Sequence, residues 1–195
     1  YMVPASPWSF LSFDRIEKIS NFYNLDIDLI PVDIVRLFEI QDIKMLAKRP
    51  ISVQKNRLNE LKRWKDHLKI NFNLKPKFFP VNPVKSCKLL IACSLIYPHE
   101  KNKIFMLAKS LSEAVWVNEL NIDNDEVIFE AAKNIFDIKS IQDTYFDDKA
   151  SSILKKNTID ATKNDIFGVP SFIYNNQMFW GQDRIFFLEK EIKKL

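Results

Sequence analysis

The sequence predicts an α/β chain in which both ends contribute to one small sheet and a large all-helical domain is inserted between its second and third strands. Two features of the pattern predict it. Residues 1–33 and 166–195 carry short apolar runs and turn chemistry, whereas residues 34–165 show only helical periodicity. Composition adds a third observation. The 195 residues are 47% hydrophobic and 13% aromatic, with 16 Phe, which is enough apolar surface for a core without disulfides or metals.

Tyr1-Met2-Val3 reads as the end of a first strand, and Pro4 to Pro7 as a sharp turn into a helix with Phe10, Phe13, Ile16, Ile19 and Phe22 on one side. Leu25, Ile27 and Leu29 alternate with Asp26 and Asp28 as a second strand over residues 25–32, which Pro31 ends early. Helical segments follow, broken at the Pro-rich residues 75–83, at Pro98 and at residues 121–125. After Gly168-Val169-Pro170, residues 171–174 and 177–180 form a hairpin around the polar pair Asn175-Asn176. Gly181 ends it, and Ile185, Phe186, Leu188 and Ile192 mark a last amphipathic helix. A lone hairpin is marginal in water, so strands from the two chain ends must share a sheet. This order is a thioredoxin-like fold with a large all-helical domain inserted between the second and third strands. The expected boundaries are 1–33 and 166–195 for the thioredoxin-like domain and 34–165 for the insertion.

The 29 basic and 25 acidic residues give a net charge of +4, but they are interspersed, which argues against a dedicated nucleic-acid surface. Gly168 and Gly181 are the only glycines, so phosphate loops built from clustered glycines are excluded. Cys87 and Cys93 fall on different faces of a helix and read as small core residues, out of reach of one disulfide. His67 and His99 are far apart without companion ligands, and no metal site is expected. Neither a long apolar run nor a basic-then-apolar leader precedes the first element, so a cytoplasmic chain with no membrane partner is the expectation.

Three segments could carry chemistry. Ser6-Pro7-Trp8-Ser9 stands where the first strand turns into the first helix, and Ser6 reads either as an ordinary N-cap or as a hydroxyl beside a bound anion. In this topology that corner holds a reactive C-x-x-C pair. Ser6 and Ser9 occupy the two cysteine positions, so disulfide exchange is impossible there. A serine at a helix start can instead donate to a ligand thiolate. Gly168-Val169-Pro170 reads either as a plain loop or as a cis-proline edge offering the Val169 backbone to an extended ligand. Asp183 reads either as a first-turn acid, with Arg184 as its surface partner, or as the acceptor of an α-ammonium.

These signals together resemble the family that unites 2-hydroxychromene-2-carboxylate isomerases with kappa-class glutathione transferases, itself built on the DsbA-like plan. The resemblance rests on Ser6-Pro7-Trp8-Ser9-Phe10-Leu11, Glu60-Leu61-Lys62-Arg63-Trp64, Ala114-Val115-Trp116, Phe167-Gly168-Val169-Pro170 and Trp180-Gly181-Gln182-Asp183-Arg184, and extends over nearly the whole chain. It implies glutathione as cofactor, with Ser6 as the catalytic contact to its sulfur, Val169 and Pro170 along its cysteinyl backbone, and Gln182 and Asp183 at its γ-glutamyl end. The implied reaction is isomerisation of an aromatic-derived unsaturated acid by thiolate addition, bond rotation and elimination. Trp8 and Phe38 are the candidate walls of the acceptor pocket, and a homodimer is implied. A kappa-type glutathione transferase and a non-catalytic small-molecule or peptide-binding module are the alternatives. Glu39, where the family carries Lys, and Ile43, where it carries Asn, favour the module.

Overall fold

A computed structural model describes residues 1–194, so the last position of the expected 166–195 segment lies outside the described residues. The first helix is two helices: α1 (Pro7–Phe10) and α2 (Phe13–Tyr23). The Ser12 hydroxyl donates to the Ser9 carbonyl at 2.7 Å, offering the backbone a local alternative to the continuing helix at that point. Phe10, Phe13 and Ile16 are buried on either side of this break, while Phe22, expected on the same apolar side, is 80% exposed at the end of α2. Asn24, at φ 50°, closes α2 with its N–H on the Ser20 carbonyl.

The regular elements of residues 34–165 are helices, α3 (Ile34–Ile40), α4 (Ile51–Leu68), α5 (Val84–Ile96), α6 (Lys101–Trp116), α7 (Asp125–Ala132), α8 (Ile138–Phe146) and α9 (Asp148–Lys163), with one 3-10 turn at Leu46–Lys48. Helix α5 carries apolar residues nearly all round, and it packs on α6, α7, α8 and α9. Its Cys87 and Cys93 are free and buried. Two buried hydroxyls fasten this helical region to the rest of the chain. Ser112 donates to the Pro4 carbonyl at 2.9 Å, and Thr158 accepts the Asp33 N–H at 2.9 Å. The buried apolar residues form one continuous cluster from Met2 to Ile192.

Strands β1 (Ser171–Tyr174) and β2 (Gln177–Trp180) pair antiparallel, Ser171 opposite Trp180 and Tyr174 opposite Gln177. Asn175 and Asn176 both sit at positive φ, the geometry of a two-residue hairpin turn. The expected first two strands do not form regular ladders but touch the sheet at single points. Tyr1 and Ser171 exchange backbone bonds at 2.9 and 3.1 Å. Met2 bridges in parallel to Pro31, with the Met2 N–H on the Ile30 carbonyl at 3.1 Å and the Val32 N–H on the Met2 carbonyl at 3.3 Å. Pro31 has no N–H to give and Pro4 follows Val3 directly, so neither pairing propagates. The lateral order is still residues 30–32, then 1–3, then β1, then β2. Helix α10 (Ile185–Ile192) packs on α2 and β1 through Ile185, Leu188 and Ile192. No described helix is long and apolar enough to cross a membrane.

Candidate functional site

Ser6 caps α1. With extended φ −77° and ψ 123°, its Oγ accepts the Ser9 N–H at 3.3 Å, and Pro7 takes the first helical position, where a missing N–H has no consequence. Accepting that bond leaves the hydroxyl hydrogen of Ser6 to donate elsewhere. Ser9, the other position of the corner, is 1% exposed, and its hydroxyl has no hydrogen-bond partner among the described residues.

Across from this corner the chain enters β1 through Gly168, Val169 and a cis Val169–Pro170 peptide. The Pro170 carbonyl accepts the Gly181 N–H at 2.8 Å, which ties the entry of β1 to the exit of β2. Val169 itself makes no backbone hydrogen bond among the described residues. Beyond Gly181, at φ 93°, a 3-10 turn holds Gln182, Asp183 and Arg184. Gln182 is 2% exposed and its side-chain oxygen accepts from Arg15 of α2, whose guanidinium also donates to the Leu11 carbonyl at 3.0 Å and lies 5.4 Å from the Trp64 ring. Asp183 is exposed and pairs with Arg184 at 2.5 Å. Burial lowers Arg15 from the ordinary arginine value, and the charge of Asp183 opposes that shift.

These elements enclose a cavity of about 430 Å³. It brings Trp8, Val169, Gln182 and Asp183 together, four of the residues predicted from sequence, and adds Trp64 and Trp180 to its wall. Ser6 is half-buried two positions from Trp8 and is not among the lining residues; Pro170 is buried and lines a separate cavity with Ser9 and Ser12. Phe38, expected as a second wall, does not line the cavity either: its ring sits 5.6 Å from the guanidinium of Arg49, which does. The reason is local. Helix α3 ends at Ile40, and the following 3-10 turn brings Arg49, not Phe38, to the opening.

Sequence reasoning missed the cations. Arg49 and Arg57 both line the cavity, and Arg57 is pushed down to about 10, first by burial and then by the like charge of Arg49. The signal was present on α4, where Val53, Arg57, Glu60 and Trp64 recur at helical spacing and so share one face, anchored from behind by the fully buried Leu61. A charged residue inside such a stripe marks a wall that is neither core nor open surface.

The comparisons with known proteins agree with this architecture. Residues 4–193 match the DSBA-like thioredoxin domain. The chain is 24% identical over 189 residues to a 2-hydroxychromene-2-carboxylate isomerase of Pseudomonas sp. (strain C18), spanning 96% of this chain and 85% of that protein. It is equally 24% identical over 192 residues to the enzyme of the same name from Pseudomonas putida, covering 97% and 91%. Among solved structures, a 2-hydroxychromene-2-carboxylate isomerase superposes with TM-score 0.77 at 20% identity, over 98% of this chain and 91% of that one. A candidate protein disulfide isomerase from Nitrosomonas europaea superposes with TM-score 0.71 at 13% identity, over 99% and 95%. The chain belongs to the DSBA-like thioredoxin domain family.

Proposed function

We propose that the protein is a glutathione-dependent isomerase of an aromatic-derived unsaturated acid. The observation that carries this reading is the convergence of Trp8, Val169, Gln182 and Asp183 on one cavity. Serines at both cysteine positions of the corner remove disulfide exchange from consideration, and the relatives named as isomerases span nearly the whole chain. The cavity fits the tripeptide in two respects: the Val169 backbone is unpaired among the described residues, and the Asp183 carboxylate stands exposed beside it.

Glutathione, held by Val169, Asp183 and Ser6, would supply the thiolate whose reversible addition lets the double bond isomerise. The chain's own residues orient and hold charge. Val169 N–H and C=O receive a peptide edge as an added strand would. Asp183 retains lone pairs beyond the contact to Arg184 with which to accept an ammonium. Ser6 keeps a free hydroxyl hydrogen that would stabilise a thiolate brought to the start of α1.

Calorimetric titration of glutathione into the parent, Ser6→Ala and Asp183→Ala tests the reading. Micromolar binding to the parent, lost on Asp183→Ala and kept without turnover on Ser6→Ala, is expected. A non-catalytic binding module is favoured by one observation, the position of Ser6 outside the cavity lining. Binding with no turnover in the parent would select it.

A further inference from the structure

Each carboxylate in the cavity wall already has a cation. Glu60 pairs with Arg63 one turn along α4, and Asp183 pairs with Arg184. Two cations in the same wall have no such partner: among the described residues, no carboxylate lies within ion-pair distance of Arg49 or Arg57. Arg49 donates its Nε–H to the Lys44 carbonyl at 2.8 Å. The Arg57 guanidinium sits 5.0 Å from the Phe79 ring, and its Nη2 is buried with no hydrogen-bond partner.

Two neighbouring guanidinium groups backed by aromatic rings repel each other in poorly screened surroundings, and a buried unpaired donor carries a desolvation penalty. An anion between them relieves both. Glu39, the acid standing where the related family carries a lysine, does not supply it. It is exposed, lies outside the cavity and pairs with Arg36 at 3.1 Å. On the same face of α4, Trp64 lies about 10 Å along the helix axis from Arg57, two turns on, and Trp8 also lines the cavity. A carboxylate at one end and an aryl ring at the other would match this wall.

We propose that Arg57, supported by Arg49, determines acceptor specificity by taking the carboxylate of an aryl acid whose ring rests against Trp8 and Trp64. The inference rests on the cavity being the reaction site of the proposed isomerase. It assigns to α4 a cationic role that neither the corner at Ser6 nor the Gln182–Arg184 turn fills.

The test is calorimetric titration of trans-cinnamate, the neutral analogue cinnamamide and glutathione into the parent and into Arg57→Met, which keeps an unbranched stem over Phe79. Cinnamate affinity is expected to fall at least about tenfold in Arg57→Met, as befits loss of a charge-assisted contact. Cinnamamide and glutathione should bind both proteins within about twofold, which also reports that the variant is folded. Arg49→Met should weaken cinnamate by a smaller factor. Unchanged cinnamate affinity in Arg57→Met, an equal loss for cinnamamide, or a loss confined to glutathione overturns the proposal. Failure of glutathione to bind the parent removes the proposed reaction and leaves the cinnamate comparison to decide this inference separately.

Discussion

Gly168 and Trp180 approach so closely that a Cβ on Gly168 would stand 2.6 Å from the indole Nε1 of Trp180. The indole also tilts onto Phe167, with ring centroids 4.7 Å apart, so the missing side chain seats a wall of the cavity. Gly168→Ala should force the ring outward. Because Trp180 is half exposed it has somewhere to go, and the loss of stability should stay near the low end of the overpacking range, about 1 kcal/mol. The wall would still move, so glutathione affinity should fall more than stability does. Urea unfolding beside a glutathione titration checks the split.

Gly181 should cost more stability than Gly168 when replaced. Its φ of 93° is a conformation that side chains disfavour, and a Cβ there would meet Asp183 Oδ1 at 2.5 Å. Gly181→Ala should therefore cost about 1–3 kcal/mol in backbone strain and displace the Asp183 carboxylate. A urea midpoint equal to that of the parent would sink this account.

The architecture was legible in the sequence through its patterning and punctuation: the β1–β2 hairpin through Asn175-Asn176 between two short apolar runs, and residues 34–165 through helical periodicity. The break between α1 and α2 was not legible, since Ser12 looks like any polar position on the solvent face until its hydroxyl is seen on the Ser9 carbonyl. The regular strands expected at residues 1–3 and 25–32 failed for a reason the sequence did contain, the prolines at 4 and 31, whose effect on pairing depends on which neighbour each strand meets. At the site, Trp8, Val169, Gln182 and Asp183 line one cavity; Val169 and Asp183 stand out in the sequence by their place at element junctions, whereas Trp8 and Gln182 rest on the family resemblance. Arg57 was passed over because a charged residue on a helix reads as solvated unless the face it shares with Val53, Glu60 and Trp64 is weighed. Phe38 lies outside the cavity for a local reason, the end of α3 at Ile40 and the 3-10 turn that carries Arg49 to the opening.

Thr158 links α9 to the start of α3. Its hydroxyl accepts the Asp33 N–H at 2.9 Å and donates to the Leu154 carbonyl at 2.8 Å, and the residue is 1% exposed. Thr158→Val preserves shape but leaves the Asp33 amide without its partner at the cap of α3. The expected loss is about 1–3 kcal/mol, the range for a donor deprived of its acceptor. Hydrogen exchange should place the effect at the beginning of α3, with the Asp33 amide losing protection, whereas a uniform loss across the chain would point to packing instead.

The protein should lose stability in alkali through three buried groups. Burial pushes the Cys93 thiol up to about 12 from 9.0, raises Cys87 further with help from the charge of Asp33, and raises Tyr145, whose hydroxyl donates to Asp125 at 2.6 Å. In each case the native state holds its proton where the unfolded chain releases it. Above the unfolded thiol value of 9.0 the native state therefore binds more protons, and stability falls as pH rises. The contribution is intact below pH 9 and declines from there toward about 12, by up to about 1.4 kcal/mol per pH unit for each group titrating in the unfolded state. Tyr145 joins above its ordinary value of 10.0. Urea midpoints between pH 8 and 10 should thus drop for the parent and change much less for the double variant Cys87→Ala, Cys93→Ala, and both native thiols should resist a disulfide reagent at pH 8 that reacts at once in denaturant. Parallel midpoint curves for the two proteins between pH 9 and 10 would show that the thiols titrate alike folded and unfolded, which their burial in α5 forbids.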